Sequence, residues 1–242
     1  KSFQSQEEME AFLRENHFKT PPDLGVYHDP KALFQAAMEV GEEDFLDYLS
    51  KIGFGVRVPF DLTVALSRYK NEKTEFNIKY LADSGYGQGE LLLSPLQAAC
   101  MYSAFPNGGT VYQPYLVQAR YGTSGKDYIL EEETSPTVWL EDLVDSGSYS
   151  AIEKAMEDVM TIGTAKSVRA PFKMAGKTGT AEIGNDKSRE ISWLATYKNE
   201  DPKDLVLMIT LDTPSNQGGI KTDIARILLR VESTLKKAEE EG

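Results

Sequence analysis

Residues 176–182, GKTGTAE, combine a lysine, two threonine hydroxyls and two glycines. In an extended strand, side chains alternate between two faces, so Thr178 and Thr180 share one face and Lys177 lies on the other. Gly176 and Gly179 leave little bulk, so another backbone can approach closely. At a sheet edge, free backbone groups can pair with an extended peptide, while the hydroxyls and the ammonium hold a carboxylate at its end. The alternative is a strand packed against a helix, with Lys177 in solvent.

The elements that position this stretch are helical first and strand-rich later. Apolar spacing and capping residues predict helices at 6–15, from Pro30 to Gly41, from Glu42 to Ile52, after Ser94 and Pro95, at 149–162, and from Asp223 to Ala238. Residues 56–80 lack clean periodicity and are predicted to be a long connection. Asn107-Gly108 predicts a turn into an extended segment.

The last third predicts three strands, within KMAGKTGTAE, EISWLATYK and DLVLMITLD. The third is almost entirely apolar, so we expect it at the centre of the sheet. Short polar links at 184–189 and 199–203 favour antiparallel hairpins. The final helix should lie across the sheet through an apolar stripe of Ile224, Ile227, Leu228, Val231 and Leu235. The predicted fold class is α/β (α+β), one lobe with an antiparallel sheet flanked by helices.

Composition excludes several classes of function. A net charge of −12 over 242 residues argues against a nucleic-acid partner. A single cysteine, Cys100, excludes an internal disulfide and a cysteine metal cage, and two histidines are too few for a typical histidine metal site. No cofactor is predicted, and no apolar run approaches the roughly 20 residues of a membrane helix. Because the chain starts at Lys1 without a signal sequence, we expect a fragment or processed form whose membrane anchor lies outside it.

Four stretches in order, LADSGYGQGELLLSPLQAACMYSAF, IGTAKSV, MAGKTGTAEI and ISWLATYK, resemble penicillin-binding protein transpeptidase domains. The resemblance is closest to the class B, low-affinity, methicillin-resistance type and runs from about Pro30 to Leu235. It implies the fold shared by penicillin-binding proteins and serine β-lactamases. It also implies peptidoglycan cross-linking at the outer face of the bacterial cytoplasmic membrane, with a stem peptide or a β-lactam as ligand and other cell-wall synthesis proteins as possible partners. In that family, a serine attacks the carbonyl of a D-alanyl-D-alanine peptide to form an acyl-enzyme.

The resemblance assigns roles to the lysine strand. Lys177 keeps the site electropositive, Thr178 and Thr180 meet the substrate carboxylate, and the Thr180 N–H is one of two oxyanion donors. Gly179 lets the substrate backbone approach, and Glu182 borders the groove.

Two neighbouring segments are interpreted as structural rather than as parts of the site. The glycines of GYGQGE favour a tight loop, so Tyr86 and Gln88 are not assigned to the site. Trp193 and Tyr197 are interpreted as core and surface positions of their strand.

Two family motifs depart from the expected pattern. The second, Ser-x-Asn, aligns with His28, Asp29 and Pro30, of which only Asp29 fits. The first, Ser-x-x-Lys, carries the nucleophile and has no match upstream of His28. Literal matches at 67–70, SRYK, and 233–236, STLK, lie downstream and are interpreted as chance. We therefore expect a divergent segment at 1–29 and, at 30–242, the C-terminal portion of a transpeptidase domain that lacks the nucleophile region.

Three functions stay open from the sequence. The chain can be part of a serine D,D-transpeptidase that is inactive by itself. It can be a non-catalytic penicillin-binding homologue that recognises stem peptides or a partner. A serine β-lactamase ranks last, because GYGQGE and SPLQ fit penicillin-binding proteins better.

Overall fold

The computed structural model describes residues 36–69, 77–144, 146–183 and 188–241. Residues 36–40 are helical, and after Gly41, whose φ is 81°, helix α1 spans Glu42–Lys51. Helix α2 spans Ile78–Gly85. The end of the predicted connection, residues 78–80, is therefore helical, and that part of the prediction is wrong. The Asn77 side chain caps α2 by accepting from the amides of residues 79 and 80, a local signal that periodicity alone does not detect.

Helix α3, Pro95–Ser103, begins where the sequence predicts. The Ser94 hydroxyl accepts the Gln97 amide at 3.2 Å, and Pro95 occupies the first turn. A proline there loses no helical hydrogen bond, because the first amides of a helix have no partner within it. Cys100, a residue of this helix, is buried in an apolar cluster with Leu49 of α1.

Four short strands follow α3. Strand β1, Val111–Tyr112, pairs antiparallel with β4, Val138–Leu140. Strands β2, Ala119–Ser124, and β3, Asp127–Glu133, form an exposed hairpin between them. The predicted turn at residues 107–108 precedes β1, and Gly108 adopts a φ of 62°.

The main sheet consists of β5, Met174–Ile183, β6, Arg189–Lys198, and β7, Val206–Pro214. The three are antiparallel in the order β5-β6-β7, as the short links predict. The central strand is β6, so the prediction that the apolar third strand is central is wrong among the described strands. Strand β6 has its residues from Leu194 to Lys198 buried, whereas β7 buries mainly Ile209 and Thr213.

Helices cover both faces of this sheet. Tyr197 of β6 packs on one face with Ala175 of β5 and with Met156 of helix α4, Ser146–Thr161. Leu194 packs on the other face with Ala225 and Leu229 of helix α5, Ile220–Glu241. The antiparallel sheet flanked by helices predicted from sequence is therefore present.

The apolar stripe predicted for α5 is largely wrong. Ile224 packs against the core, but the inner face is formed by Ala225 and Leu229, which are 0% and 1% exposed. Four members of the predicted stripe are exposed instead: Ile227, Leu228, Val231 and Leu235. The helix carries apolar residues on more than one side, so the most apolar stripe is not the one that meets the sheet.

Candidate active site

Strand β5 has a free edge within the part of the chain that the structure describes. Among the strands that the structure describes, it pairs with β6 only, in a continuous register from Met174 opposite Lys198 to Ile183 opposite Arg189. Lys177 lies opposite Ala195 and Thr178 opposite Leu194, residues that belong to the two different faces of the sheet. The predicted alternation of the lysine and the threonines is therefore present.

Two side chains mark which backbone groups of β5 face outward. Gln88 Nε2 donates to the Thr180 carbonyl oxygen at 3.1 Å, and Lys177 Nζ donates to the Thr178 carbonyl oxygen at 2.6 Å. In an antiparallel strand the N–H and C=O of one residue point to the same side. The amides of Thr178 and Thr180 therefore also face the free edge, where an extended ligand can meet them.

Lys177 lies on the side of the sheet covered by α3 and α4. It lines an apolar cleft of about 570 Å³ together with Met101, Phe105, Ile152 and Met156. Of the described residues that line this cleft, Lys177 alone carries a charge. Burial, and to a smaller extent the nearby ammonium of Lys221, lower the pKa of the Lys177 ammonium to about 8. The cation is therefore held in surroundings where an anion interacts strongly with it.

Thr178 points to the opposite side and meets a second hydroxyl. Its Oγ1 lies 2.7 Å from Thr164 Oγ1. Thr164 belongs to the IGTAKSV stretch, between α4 and the 3₁₀ turn Lys166–Val168. Hydroxyls both donate and accept, so this pair can orient the Thr178 hydroxyl towards a ligand.

The two glycines of the strand have different surroundings. A Cβ added to Gly176 would lie 2.4 Å from the Ala195 carbonyl oxygen and 2.6 Å from Thr196 Cγ2. A Cβ added to Gly179 would first meet Trp193 Cβ, at 3.4 Å. Gly176 is required by close packing of β5 on β6, whereas the protein has room for a methyl group at Gly179.

Glu182 is exposed and lies opposite Glu190 in the β5–β6 register. It therefore stands towards the far end of the strand from Lys177. Its predicted role at the border of the groove stays a prediction.

The GYGQGE loop contacts the lysine strand. Gly87 and Gly89 have φ values of 80° and 78°, and the Tyr86 hydroxyl donates to Asp83 Oδ1 at 3.0 Å. This supports the tight loop predicted from the glycines. Sequence reasoning left Gln88 off the site, yet its side chain contacts Thr180; a polar residue between two left-handed glycines is the signal that could have found it.

The two literal Ser-x-x-Lys matches have different surroundings, whereas the degenerate second motif, His28, Asp29 and Pro30, lies outside the described residues. In SRYK, Ser67 is 0% exposed and its hydroxyl accepts the Ser94 amide at 2.9 Å, so it fixes the start of α3. In STLK, Lys236 pairs with Asp204 at 2.5 Å and with Glu232 at 3.5 Å.

Neither a metal site nor a membrane span is found in the described parts of the chain. No group of three or more histidine, cysteine or acidic side chains converges there. No helix there has both the length and the apolarity needed to cross a bilayer.

Comparison with known proteins finds one matching family model and several similar sequences. The sequence model described as "Penicillin binding protein transpeptidase domain" matches residues 31–230. Penicillin-binding protein 3 of Bacillus subtilis is 29% identical over 192 residues, which are 76% of this chain and 27% of that protein. The peptidoglycan D,D-transpeptidase FtsI homolog of Mesostigma viride is 29% identical over 193 residues, 72% of this chain and 32% of that protein. The chain thus spans about a third or less of the length of these curated relatives.

Solved structures share the fold. Penicillin-binding protein A from Mycobacterium tuberculosis superposes with a TM-score of 0.68 at 20% identity, over 83% of this chain and 48% of that one. The D,D-transpeptidase domain of a peptidoglycan glycosyltransferase from Eggerthella lenta gives 0.69 at 20% identity, over 85% and 51%. A further structure of the Mycobacterium tuberculosis protein is an acyl-enzyme complex with imipenem, with a TM-score of 0.69.

Proposed function

The chain belongs to the penicillin-binding protein transpeptidase family, and we propose that it provides the substrate-binding strand of a peptidoglycan D,D-transpeptidase. The observation that carries this is the free edge of β5, where the outward amides of Thr178 and Thr180 stand beside Lys177. An extended D-alanyl-D-alanine peptide, or a β-lactam, would lie along this edge and pair with those amides.

The groups along the edge suit the ends of such a peptide. The hydroxyls of Thr178 and Thr180, with the Lys177 ammonium, would receive the terminal carboxylate through charge-assisted hydrogen bonds. The Thr180 amide would donate to the carbonyl oxygen under attack. Gly179 would let the ligand backbone lie close to the strand, since its nearest neighbour beneath is the Trp193 side chain. Glu182 would border the groove at its far end.

The reaction is acyl transfer. A serine oxygen forms a bond to the carbonyl carbon, and the carbonyl electron pair moves onto oxygen. Collapse of this adduct expels the terminal D-alanine, whose amine takes up the proton that the serine gave up. An amine of a second stem peptide then attacks the ester carbonyl carbon, the bond from that carbon to the serine oxygen breaks, and a proton from the amine returns to the serine oxygen. We propose that the serine is none of the described residues. Of the two literal Ser-x-x-Lys matches, Ser67 has its hydroxyl buried against the Ser94 amide. In the other match, the lysine that would act as the base for Ser233 is Lys236, which pairs with Asp204.

The setting follows from the reaction. We propose that the full-length protein acts at the outer face of the bacterial cytoplasmic membrane and meets other cell-wall synthesis proteins there. The divergent 1–29 segment and the transpeptidase portion 30–242 stay a proposed division of the chain.

A fluorescent penicillin tests the function. Full-length protein is incubated with it and analysed by denaturing electrophoresis, and we expect a covalent band that excess unlabelled penicillin abolishes. Lys177→Ala should lower the labelling rate at least about tenfold, because it removes the ammonium proposed to hold the ligand carboxylate. The matched control is Lys173→Ala, an exposed lysine just before β5 that pairs with Glu157 and should label normally.

The other outcomes distinguish the alternatives. Reversible binding of penicillin without a covalent band would favour a non-catalytic penicillin-binding homologue. Rapid release of hydrolysed penicillin would favour a β-lactamase. No binding of either kind would refute a role of β5 in this chemistry.

A further inference from the structure

Lys221, in the first turn of α5, is a buried lysine that contacts the candidate site. The residue is 6% exposed, and its Nζ donates to the Gly179 carbonyl oxygen at 3.0 Å. It belongs to none of the motifs singled out in the sequence. Burying an ammonium group is costly unless it is well hydrogen-bonded. The hydrogen bond to Gly179 therefore points to a role for Lys221 at β5.

The loop before α5 is built to bring Lys221 to the sheet. A Cβ on Gly218 would lie 2.6 Å from Glu190 Oε1 and 2.9 Å from Ser192 Oγ. The Ser192 hydroxyl donates to the Gly218 carbonyl oxygen at 3.2 Å. Because position 218 carries no side chain, the loop can lie directly on β6, and the long Lys221 side chain then reaches β5.

The hydrogen bond reaches a particular peptide group. The carbonyl of Gly179 and the N–H of Thr180 belong to the same planar unit and point in opposite directions. The Thr180 carbonyl contacts Gln88 beyond the strand, so the Thr180 N–H faces the free edge. A charged donor on the carbonyl end of a peptide group polarises it and makes its N–H a stronger donor.

The charges around Lys221 are consistent with this role. Burial lowers the pKa of Lys221, and Glu190 opposes that shift. The Lys221 charge in turn lowers the pKa of Lys177, as expected for two ammonium groups that both donate to carbonyl oxygens of β5. Their fields add at the edge of β5, where a developing oxyanion would be stabilised by both.

We propose that Lys221 is a positioning residue for acylation: its ammonium holds and polarises the Gly179–Thr180 peptide group, so that the Thr180 N–H binds the oxyanion more strongly. This role rests on the function proposed above. It acts on the transition state, because the negative charge on the carbonyl oxygen develops only during attack.

The test separates binding from chemistry in the full-length protein. Removing one oxyanion donor elsewhere costs about 100- to 1,000-fold, and polarisation contributes about 10–30% of a hydrogen bond, so Lys221→Met should slow acylation by penicillin about two- to eightfold. The dissociation constant of the non-covalent complex should stay within about twofold. Lys221→Arg, which keeps a charged donor, should restore most of the rate.

Two further measurements guard against a purely structural effect. Lys198→Met is the matched control, because Lys198 is also buried but pairs with Asp204; it should leave the acylation rate unchanged. In an amide NMR spectrum, the Thr180 proton should move upfield in Lys221→Met and keep its position in Lys198→Met.

The outcomes are distinct. An unchanged acylation rate in Lys221→Met overturns the role of Lys221, as does a loss confined to the dissociation constant or an unmoved Thr180 proton. A wild-type protein that no penicillin acylates refutes the proposed function itself, and with it the role of Lys221 in acylation.

Discussion

Replacing each glycine of β5 by alanine should separate folding from function. The Cβ of Gly176→Ala would be pressed to 2.4 Å from the Ala195 carbonyl oxygen, a backbone atom held in the sheet. The Cβ of Gly179→Ala would meet Trp193 at 3.4 Å, an ordinary contact distance. One substitution therefore disturbs the protein, and the other adds bulk mainly where the ligand is proposed to lie.

The expected magnitudes follow from this geometry. Overpacking of an interior costs about 1–3 kcal/mol, partly offset by about 0.4–1 kcal/mol that alanine gains over glycine in the unfolded chain. We expect Gly176→Ala to lose about 1–2 kcal/mol of unfolding free energy, which lowers the Tm by about 2–8 °C. For Gly179→Ala no overpacking is expected, so the gain of about 0.4–1 kcal/mol from the unfolded chain should leave the Tm unchanged or raise it by up to about 4 °C.

The assay measures both properties on the same full-length preparations. Thermal unfolding gives the Tm, and labelling with fluorescent penicillin at 25 °C gives the acylation rate. Gly179→Ala should acylate at least about tenfold more slowly at nearly normal stability, because its methyl group obstructs the ligand backbone. Gly176→Ala should be less stable but label at close to the normal rate while folded.

The opposite pattern would refute the reasoning. If Gly179→Ala labelled normally, no ligand backbone would approach β5 at this position. If Gly176→Ala had an unchanged Tm, the close contact of β5 with β6 would not be what requires glycine there.

Three further predictions concern neighbouring side chains. The pKa of Lys177 is about 8 in the folded protein against 10.5 for an ordinary lysine, so affinity for a carboxylate ligand should fall as pH rises through 8. The Lys177 contribution to the unfolding free energy should increase as pH rises from about 8 to 10.5, because the unfolded chain then binds more protons than the folded protein. A pH-independent affinity from about pH 7 to 9 would contradict this. Ser67→Ala should still be labelled by penicillin but lose about 1–2 kcal/mol of stability in urea unfolding, because the Ser94 amide loses its acceptor; loss of labelling at intact stability would make Ser67 the nucleophile. Gln88→Ala should slow acylation several-fold, because the Thr180 carbonyl loses its side-chain donor beside the proposed ligand. The Tm should change little, because this hydrogen bond is exposed and water can replace Gln88. A normal rate would limit the GYGQGE loop to a structural role.

The lysine strand could be predicted from sequence because its information is local. The period of two separates Lys177 from Thr178 and Thr180 whatever the tertiary context, and the short links on either side of β6 allow only antiparallel pairing. The cap at Ser94 was equally readable, because it depends on residues next to each other in the chain.

The errors arise where the answer depends on distant residues. The order of strands in the sheet depends on which edges other elements cover. The apolar sequence of β7 therefore predicted a central position that β6 occupies among the described strands. The inner face of α5 depends on which side chains pack well against the sheet. Ala225 and Leu229 are buried there, whereas Ile227 and Leu228 are exposed. Position in the sequence does not reveal that Lys221 lies beside Gly179, 42 residues away.

The most direct test of the central claim is a crystal structure of the full-length protein with bound penicillin. The ligand should lie antiparallel to β5 on its free edge, with its carboxylate within hydrogen-bonding distance of the Thr178 and Thr180 hydroxyls and its carbonyl oxygen on the Thr180 amide. Penicillin bound elsewhere, or another strand of the protein paired with residues 177–180 at that edge, would contradict the account.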